Sequence, residues 1–313
     1  MENDFQQFIR TCLESLDPLQ PKPTGLASRL CHLTDIRAVL FDIYGTLLVS
    51  ASGDVDTIDV KTDAAAASLA AAPVSLNPQD SGEVGEKALT LYREAIRKTH
   101  EKLRKRGMPY PEVDVVEIWK TVTEKLENMR MVSTQPDTDY RRCAFAFEIL
   151  SNPVSPMPHM LEILNTLKDL RYSLGIVSNA QFFSPVVLNY FLTGEVILED
   201  EVAPFDPELT FYSYRYQRAK PDPYLFRLAE RRLKLYGIST EQAVYVGNDM
   251  RNDILAAKSA GFKTVLFAGD ERSLRLRESE EEAGLQGSSA QADAVVTSLA
   301  EIPAILTRFS HTL

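Results

Sequence analysis

The sequence predicts an α/β protein built on a Rossmann-like parallel sheet core with a helical domain inserted into it. Three observations carry that prediction. Short apolar runs end abruptly in polar residues, as in AVLFD from Ala38, YSLGIVSN from Tyr172 and AVYVGND from Ala243, which is the pattern of strands buried on both faces. After Pro158 such runs alternate with amphipathic helical segments, and that alternation means a parallel sheet covered by helices. Between residues 49 and 155 the periodicity is helical and no strand signal appears, so this block reads as a second domain inserted after the first strand. At 313 residues the chain has room for two domains of about 150 residues each.

Taken in order, residues 4 to 16 place Phe5, Phe8, Ile9, Cys12 and Leu16 on one face at helical spacing. This predicts a lead helix that packs on a domain, followed by the Pro- and Gly-rich link PLQPKPTG, so residues 1–36 form an N-terminal helical extension. AVLFD is the first buried strand, and Gly45 breaks the pattern behind it. The low-complexity stretch 51–82 is rich in small residues. Its alanines favour helix but offer little apolar area to anchor one, so a mobile or weakly packed segment is expected. A long helix over 84–106 turns Val84, Ala88, Leu91, Ala95 and Leu103 inward. Its last turns carry Lys102, Arg104, Lys105 and Arg106 before Gly107, a charge run that complements the helix dipole. Helical segments at 112–129 and 138–150 complete the insert, residues 51–155. MLEILNTLKDL, the YLFRLAERRLKLYG helix, DILAAKSAG, KTVLFAG and AVVTSL with a closing helix make up the rest of the core, residues 37–50 and 156–313.

Reactive groups of an open parallel sheet gather at the C-terminal edges of its strands. Four such ends carry distinctive side chains: Asp42 and Thr46 in FDIYGTLL, Ser178 and Asn179 in IVSNA, Lys220 in RAKPDPYLF, and Asn248, Asp249 and Asp253 in VGNDMRND. A carboxylate closing a buried strand needs compensation, which a lysine and hydroxyls converging on it supply. The same arrangement lets Asp42 act as a nucleophile oriented by Lys220, while Thr46, Ser178 and backbone N–H groups hold an anionic group.

These four motifs, in this order, resemble those of the haloacid dehalogenase-like hydrolases over residues 37–50 and 156–300. The resemblance implies that Asp42 forms a covalent aspartyl intermediate, that Ser178 and Asn179 are the second motif and Lys220 the third, and that the acidic fourth holds Asn248, Asp249 and Asp253. The catalytic set is then Asp42, Lys220, Ser178 and Thr46. Asn179, Tyr44, Gly45 and Phe226 would border the substrate, and the inserted helices resemble the cap that selects it. The metal set is Asp42, the carbonyl of Tyr44, Asn248, Asp249 and Asp253, with magnesium as the expected ion and Asp253 orienting water or Lys220 behind it.

Two features divide the reaction types within that family. Its phosphatases place a second aspartate two residues after the nucleophile as general acid and base, and this chain has Tyr44, as the dehalogenases do. A phenol with a reference pKa near 10 is a poor proton shuttle at neutral pH. The acidic fourth motif favours a metal-dependent phosphatase, although Asn248 stands where an aspartate is usual. Phe226 replaces the tyrosine that dehalogenases present to the substrate, and only Arg141 and Arg142, by location, are candidates for their halide-binding arginine. The expected function is therefore hydrolysis of a small phosphorylated substrate, with C–halogen hydrolysis or a non-catalytic binding role as alternatives.

Composition excludes other classes. The formal charge of −10 disfavours a general nucleic-acid or anionic-membrane surface. Cys12, Cys31 and Cys143 form no pairable or metal-like pattern, and with an acidic N-terminus and no apolar run of about 18 residues this predicts a cytoplasmic protein. His32, His100, His159 and His311 join no ligand pattern. Trp119 reads as core of the insert, and FYSYRYQRAK, just before Lys220, as site rim or packing. No segment specifies an oligomeric state.

Overall fold

A computed structural model describes residues 3–51, 62–76, 81–276 and 292–307. Its centre is a six-stranded, all-parallel sheet in the order β10-β9-β8-β1-β6-β7. The strands are β1 (Ala38–Phe41), β6 (Ser173–Ser178), β7 (Thr210–Tyr212), β8 (Ala243–Gly247), β9 (Lys263–Phe267) and β10 (Ala294–Val296). β1 is buried along its whole length, between β6 on one side and β8 on the other. The chain runs outward from β1 through β6 to β7, then crosses back to build β8, β9 and β10. Strand order therefore reverses beside β1, and a crevice opens there above the C-terminal ends.

The helical insert lies between β2 (Leu48–Ser50) and β5 (Val154–Pro156), which pair antiparallel as its two-strand root. It contains α2 (Thr62–Ala71), α3 (Ser81–Lys105), α4 (Val115–Asn128) and α5 (Tyr140–Ser151). Asp114 and Asp139 cap α4 and α5 by accepting from Val116 N–H and Arg141 N–H, which satisfies first-turn donors that have no helical partner. Val84, Ala88, Leu91, Ala95 and Leu103 are all buried. Trp119 is enclosed by Tyr92 and Phe147 at ring distances of 5.2 and 4.9 Å, a core position in the insert.

Three expectations are corrected here. Within the 51–82 stretch, residues 62–71 are a helix packed on α3 and α5, with Ala65, Ser68 and Leu69 buried. The small residues allow close approach in place of large apolar area: a Cβ on Gly85 would come within 2.4 Å of the Thr62 carbonyl oxygen. Residues 52–61 and 77–80 of that stretch, and His311, lie outside the described residues. The insert also has a two-residue strand pair, β3 (Ser75–Leu76) with β4 (Val132–Ser133), too short to leave a periodic signal. Finally, the core begins after β5 with α6 (Met160–Asp169), as expected, but β7 and the helix α7 (Phe183–Thr193) had no place in the sequence reading. Seven of the first residues of α7 are buried, so it shows no amphipathic stripe.

The lead helix α1 (Asp4–Glu14) begins with a capping box between Asn3 and Gln6 and buries Phe5, Ile9 and Leu13. It bridges insert and core. Phe5 and Phe8 lie under the Arg141 and Arg142 guanidiniums at 4.6 and 4.9 Å, while Gln6 and Arg10 donate to the Val196 and Gly194 carbonyls. Among the described residues no helix is long and apolar enough to cross a membrane.

Candidate active site

The site grows from the end of β1. Asp42 N–H donates to the Val246 carbonyl (2.9 Å), so the ladder to β8 holds this residue in place beyond the last strand position. The chain then turns sharply. Thr46, Leu47 and Leu48 N–H groups all donate to Ile43 O, and Gly45 sits at φ +78°. A Cβ at Gly45 would meet Ser273 Cβ at 2.4 Å and Asn248 Nδ2 at 2.6 Å, so both backbone conformation and space demand glycine.

Lys220 reaches Asp42 from the loop after β7. Asn179, at the end of β6, brackets its backbone: Lys220 N–H donates to Asn179 Oδ1 (2.6 Å) and Asn179 Nδ2 donates to Lys220 O (3.2 Å). The ammonium then donates to Asp42 Oδ1 (2.7 Å), Asp253 Oδ1 (2.6 Å) and the Tyr245 hydroxyl (2.8 Å). Burial alone would pull this amine down, but the Asp253 and Asp42 carboxylates outweigh it and hold its pKa above the usual lysine value. Lys220 stays charged.

Asp253 is the hub of the acidic loop. Its Oδ2 accepts from the Asn248 and Asp249 N–H groups (3.0 and 2.9 Å), and its Oδ1 faces Lys220 and Tyr245. Burial pushes its carboxyl up to about 6, with Lys220 pulling down and the charges of Asp42 and Asp249 pushing up. Asp249 caps the following helical turn through Arg251 and Asn252 N–H. Tyr245 donates its hydroxyl hydrogen to Val177 O (2.7 Å) while accepting from Lys220, and burial raises its pKa well above the usual phenol value.

A cavity of about 100 Å³ opens over these groups, lined by Asp42, Tyr44, Ser50, Asn152, Asn179, Lys220, Asn248, Asp249, Asn252, Asp253 and Arg275. Asp42, Lys220, Asn179, Tyr44, Asn248, Asp249 and Asp253 are thus brought together. Four expected residues do not line it. Thr46 is fully buried and donates to Asn248 Oδ1 (3.2 Å), bracing the acidic loop. Ser178 is fully buried, with its hydroxyl 3.4 Å from the Asn179 carbonyl. Gly45 is sealed beneath Ser273. Phe226 lies in the opposite layer, edge-on to Tyr245 at 4.9 Å, so it supports the phenol and touches no substrate position. Five residues escaped the sequence reading: Tyr245, Ser50, Asn152, Asn252 and Arg275. A phenol in an apolar strand reads as core, while Ser50 ends a three-residue strand, Asn152 caps α5 and Asn252 lies in a short helical turn, elements too short or too terminal to leave a periodic signal.

The ion expected at this wall is magnesium. Among the described residues no three His, Cys, Asp or Glu side chains form a ready-made metal cluster. Asp253 departs from its expected place as a ligand, because protein donors already occupy both its oxygens. What remains fits a hard cation that keeps most of its water. Asp42 Oδ2 accepts no hydrogen bond from the described residues, and Asn248 Oδ1 and Asp249 Oδ2, which accept from Thr46 and from the Asn252 side chain, belong to residues of the same wall.

Tyr44 remains a neutral phenol at neutral pH. Its hydroxyl is paired with Ser184 Oγ (2.9 Å) on α7, and burial first, then the Glu148 charge, pushes its pKa further above the ordinary phenol range.

A family model described as a haloacid dehalogenase-like hydrolase matches residues 36–261. The chain belongs to that family. As a haloacid dehalogenase-like hydrolase it is 30% identical over 245 residues to the phosphoglycolate phosphatase of Salmonella typhimurium, covering 74% of this chain and 81% of that protein. The Escherichia coli K12 phosphoglycolate phosphatase is likewise 30% identical, over 240 residues and the same shares of both chains. Among solved structures, the 2-haloacid dehalogenase of Pseudomonas syringae pv. Tomato DC3000 superposes with a TM-score of 0.50 at 18% identity, covering 86% of this chain and 97% of that one. That likeness concerns the fold.

Proposed function

We propose that this hydrolase cleaves small phosphate monoesters with magnesium, through a phosphoryl intermediate on Asp42. The observation that carries the reading is the Asp42–Lys220–Asp253 cluster beside Asn248 and Asp249 oxygens. Lys220 holds the Asp42 carboxylate for in-line attack on phosphorus, while Asp253 and Tyr245 fix Lys220. Magnesium, held by Asp42, the Tyr44 carbonyl and Asn248 or Asp249, would supply charge neutralisation for the substrate phosphoryl group. The bond from Asp42 to phosphorus forms as the ester P–O bond breaks. Water then attacks that phosphorus, releasing phosphate and the free carboxylate. The helical insert, rooted on β2 and β5 above the crevice, serves as the cap.

With Tyr44 in place of a general acid, the leaving oxygen departs without its proton. The favoured substrates are therefore aryl or acyl phosphates, whose leaving groups are weak bases. Tyr44 also favours a second reading, C–halogen hydrolysis, in which halide needs no acid. Arg141 and Arg142 argue against it: Arg141 is engaged with Phe5 of α1 and with Asp139 at the start of α5, Arg142 with Phe8 and Asp4 of α1, and neither lines the cavity. The test is a panel of p-nitrophenyl phosphate, acetyl phosphate, phosphoglycolate and 2-chloropropionate, with and without magnesium, using Asp42→Asn as blank. Chelator-sensitive phosphate release that Asp42→Asn abolishes supports the proposal. Chelator-insensitive halide release, or no turnover with any compound, contradicts it.

A further inference from the structure

The turn of the insert between α3 and α4 comes down onto the core beside Lys220. Ala219 N–H donates to Tyr110 O (2.8 Å) and Glu112 N–H to Gln217 O (3.0 Å), so Pro111 and Arg218 face each other as in an antiparallel pair. The insert thus bonds directly to the loop that carries Lys220. Gln181, two residues beyond Asn179, closes the same contact with its side chain. Its Nε2 donates to Glu112 Oε1 (3.1 Å) and Val113 O (2.9 Å), and its Oε1 accepts from Val115 N–H (3.3 Å), a first-turn donor of α4. Both amide hydrogens and the amide oxygen are therefore engaged with the insert.

One short stretch, residues 179–184, thereby holds three things at once. Asn179 brackets the Lys220 backbone, Gln181 clasps the insert, and Ser184 Oγ pairs with the Tyr44 hydroxyl (2.9 Å) while accepting from Gln181 N–H (3.1 Å). Glu112 meets the stretch a second time through Ser213, the first residue after β7. Ser213 Oγ donates to Glu112 Oε2 (2.8 Å) and accepts from Ala180 N–H (2.9 Å). Displacing the turn of the insert would break bonds on both sides of the Asn179–Lys220 bracket. Such a linked set shifts as a unit, because losing one partner strands others held away from water.

We propose that Gln181 and Glu112 are positioning residues, a latch through which docking of the insert holds Lys220 and Tyr44 in place at the site. Lys220 is then set against Asp42 only while the insert is seated, which confines attack on the substrate to the covered crevice. The catalytic half of this rests on the phosphoryl chemistry proposed above, and the docking half stands without it.

The test compares wild type, Gln181→Glu, Glu112→Gln and the double variant. Gln181→Glu sets a second carboxylate against Glu112, and Glu112→Gln returns a donor to that pair in the opposite sense. Hydrogen exchange by mass spectrometry is followed over residues 213–222, with residues 243–247 as control. Single-turnover release of p-nitrophenolate from p-nitrophenyl phosphate in magnesium buffer gives the rate at saturation and KM. For Gln181→Glu the expected result is exchange over 213–222 at least about tenfold faster with the control unchanged, a rate about ten- to hundredfold lower, and a smaller change in KM. The double variant should regain about threefold or more in both exchange and rate. Unchanged exchange over 213–222 in Gln181→Glu overturns the proposal, as does an equal rise in the control, an unchanged rate, or a loss that Glu112→Gln leaves in full. If Gln181→Glu does not fold, Gln181→Ala decides: shifts of about threefold or more in both exchange and rate support the latch, and either one unchanged contradicts it. If the wild type hydrolyses no ester, the reaction is contradicted and exchange alone decides the docking half, by the same expected and contrary results.

Discussion

Lys220→Met removes the ammonium while retaining most of the stem, and so strips a charge-assisted hydrogen bond from Asp42 and from Asp253 at once. Deleting one partner of a buried ion pair costs about 3–5 kcal/mol, because the remaining charge is left uncompensated. The loss should depend on pH. In the native protein Asp253 titrates at about 6 against 3.8 as its ordinary value, so the folded state binds the extra proton between those values. Its contribution therefore falls as pH rises through that window. The Lys220 contribution is complete below its ordinary value of 10.5 and is lost only as pH rises through its higher folded value, so it does not titrate in this range. Without Lys220 the Asp253 carboxyl moves further up and is discharged by acid, so the deficit shrinks at low pH. Urea unfolding at pH 8 and pH 5 reads this directly. The expected loss at pH 8 is about 3–5 kcal/mol, and at pH 5 it is smaller by at least about 1 kcal/mol. A deficit independent of pH, or below about 1 kcal/mol at pH 8, would refute the reasoning.

Other consequences follow from single positions. Burial pushes the Glu148 carboxyl up to about 7, against the pull of Asn152, so stability falls as pH rises from its ordinary 4.5 to that value; Glu148→Gln, which still accepts from Asn152, should be about 1–2 kcal/mol more stable than wild type at pH 8 and little different near pH 4.5 by thermal melts. Gly45→Ala should cost about 2–4 kcal/mol by urea unfolding and abolish turnover, since it combines a left-handed backbone with a collision on Ser273. Ile9→Ala, which hollows the fully buried face of α1, should lower the urea midpoint by an amount worth about 2–4 kcal/mol.

Much of the site was legible because its chemistry is carried by residues that break a pattern. Asp42 closes AVLF, Asn248 and Asp249 follow AVYVG, and Lys220 stands outside any helix, so each is conspicuous against apolar neighbours. The hydroxyls were harder to place. Thr46 and Ser178 were expected at the substrate, yet both are fully buried, because a hydroxyl can serve a turn as readily as a ligand. Tyr245 was hidden by its aromatic body: in a buried strand a tyrosine reads as packing, and only the fold brings its oxygen onto Lys220. Phe226 took its expected role from its distance beyond Lys220, whereas its all-apolar surroundings decide its position. α2 and α7 failed for opposite reasons, the first having too little apolar area to signal burial and the second having too much to show a stripe.

The central claim is that Asp42 carries the phosphoryl group. Its most direct test is a rapid acid quench during turnover of p-nitrophenyl phosphate, borohydride reduction of any acyl phosphate, and peptide mass spectrometry. Conversion of Asp42 to homoserine in substrate-treated wild type, and in no sample without substrate, is the predicted result. Phosphate release that proceeds while Asp42 stays unmodified, or reduction at another carboxylate, would contradict the account.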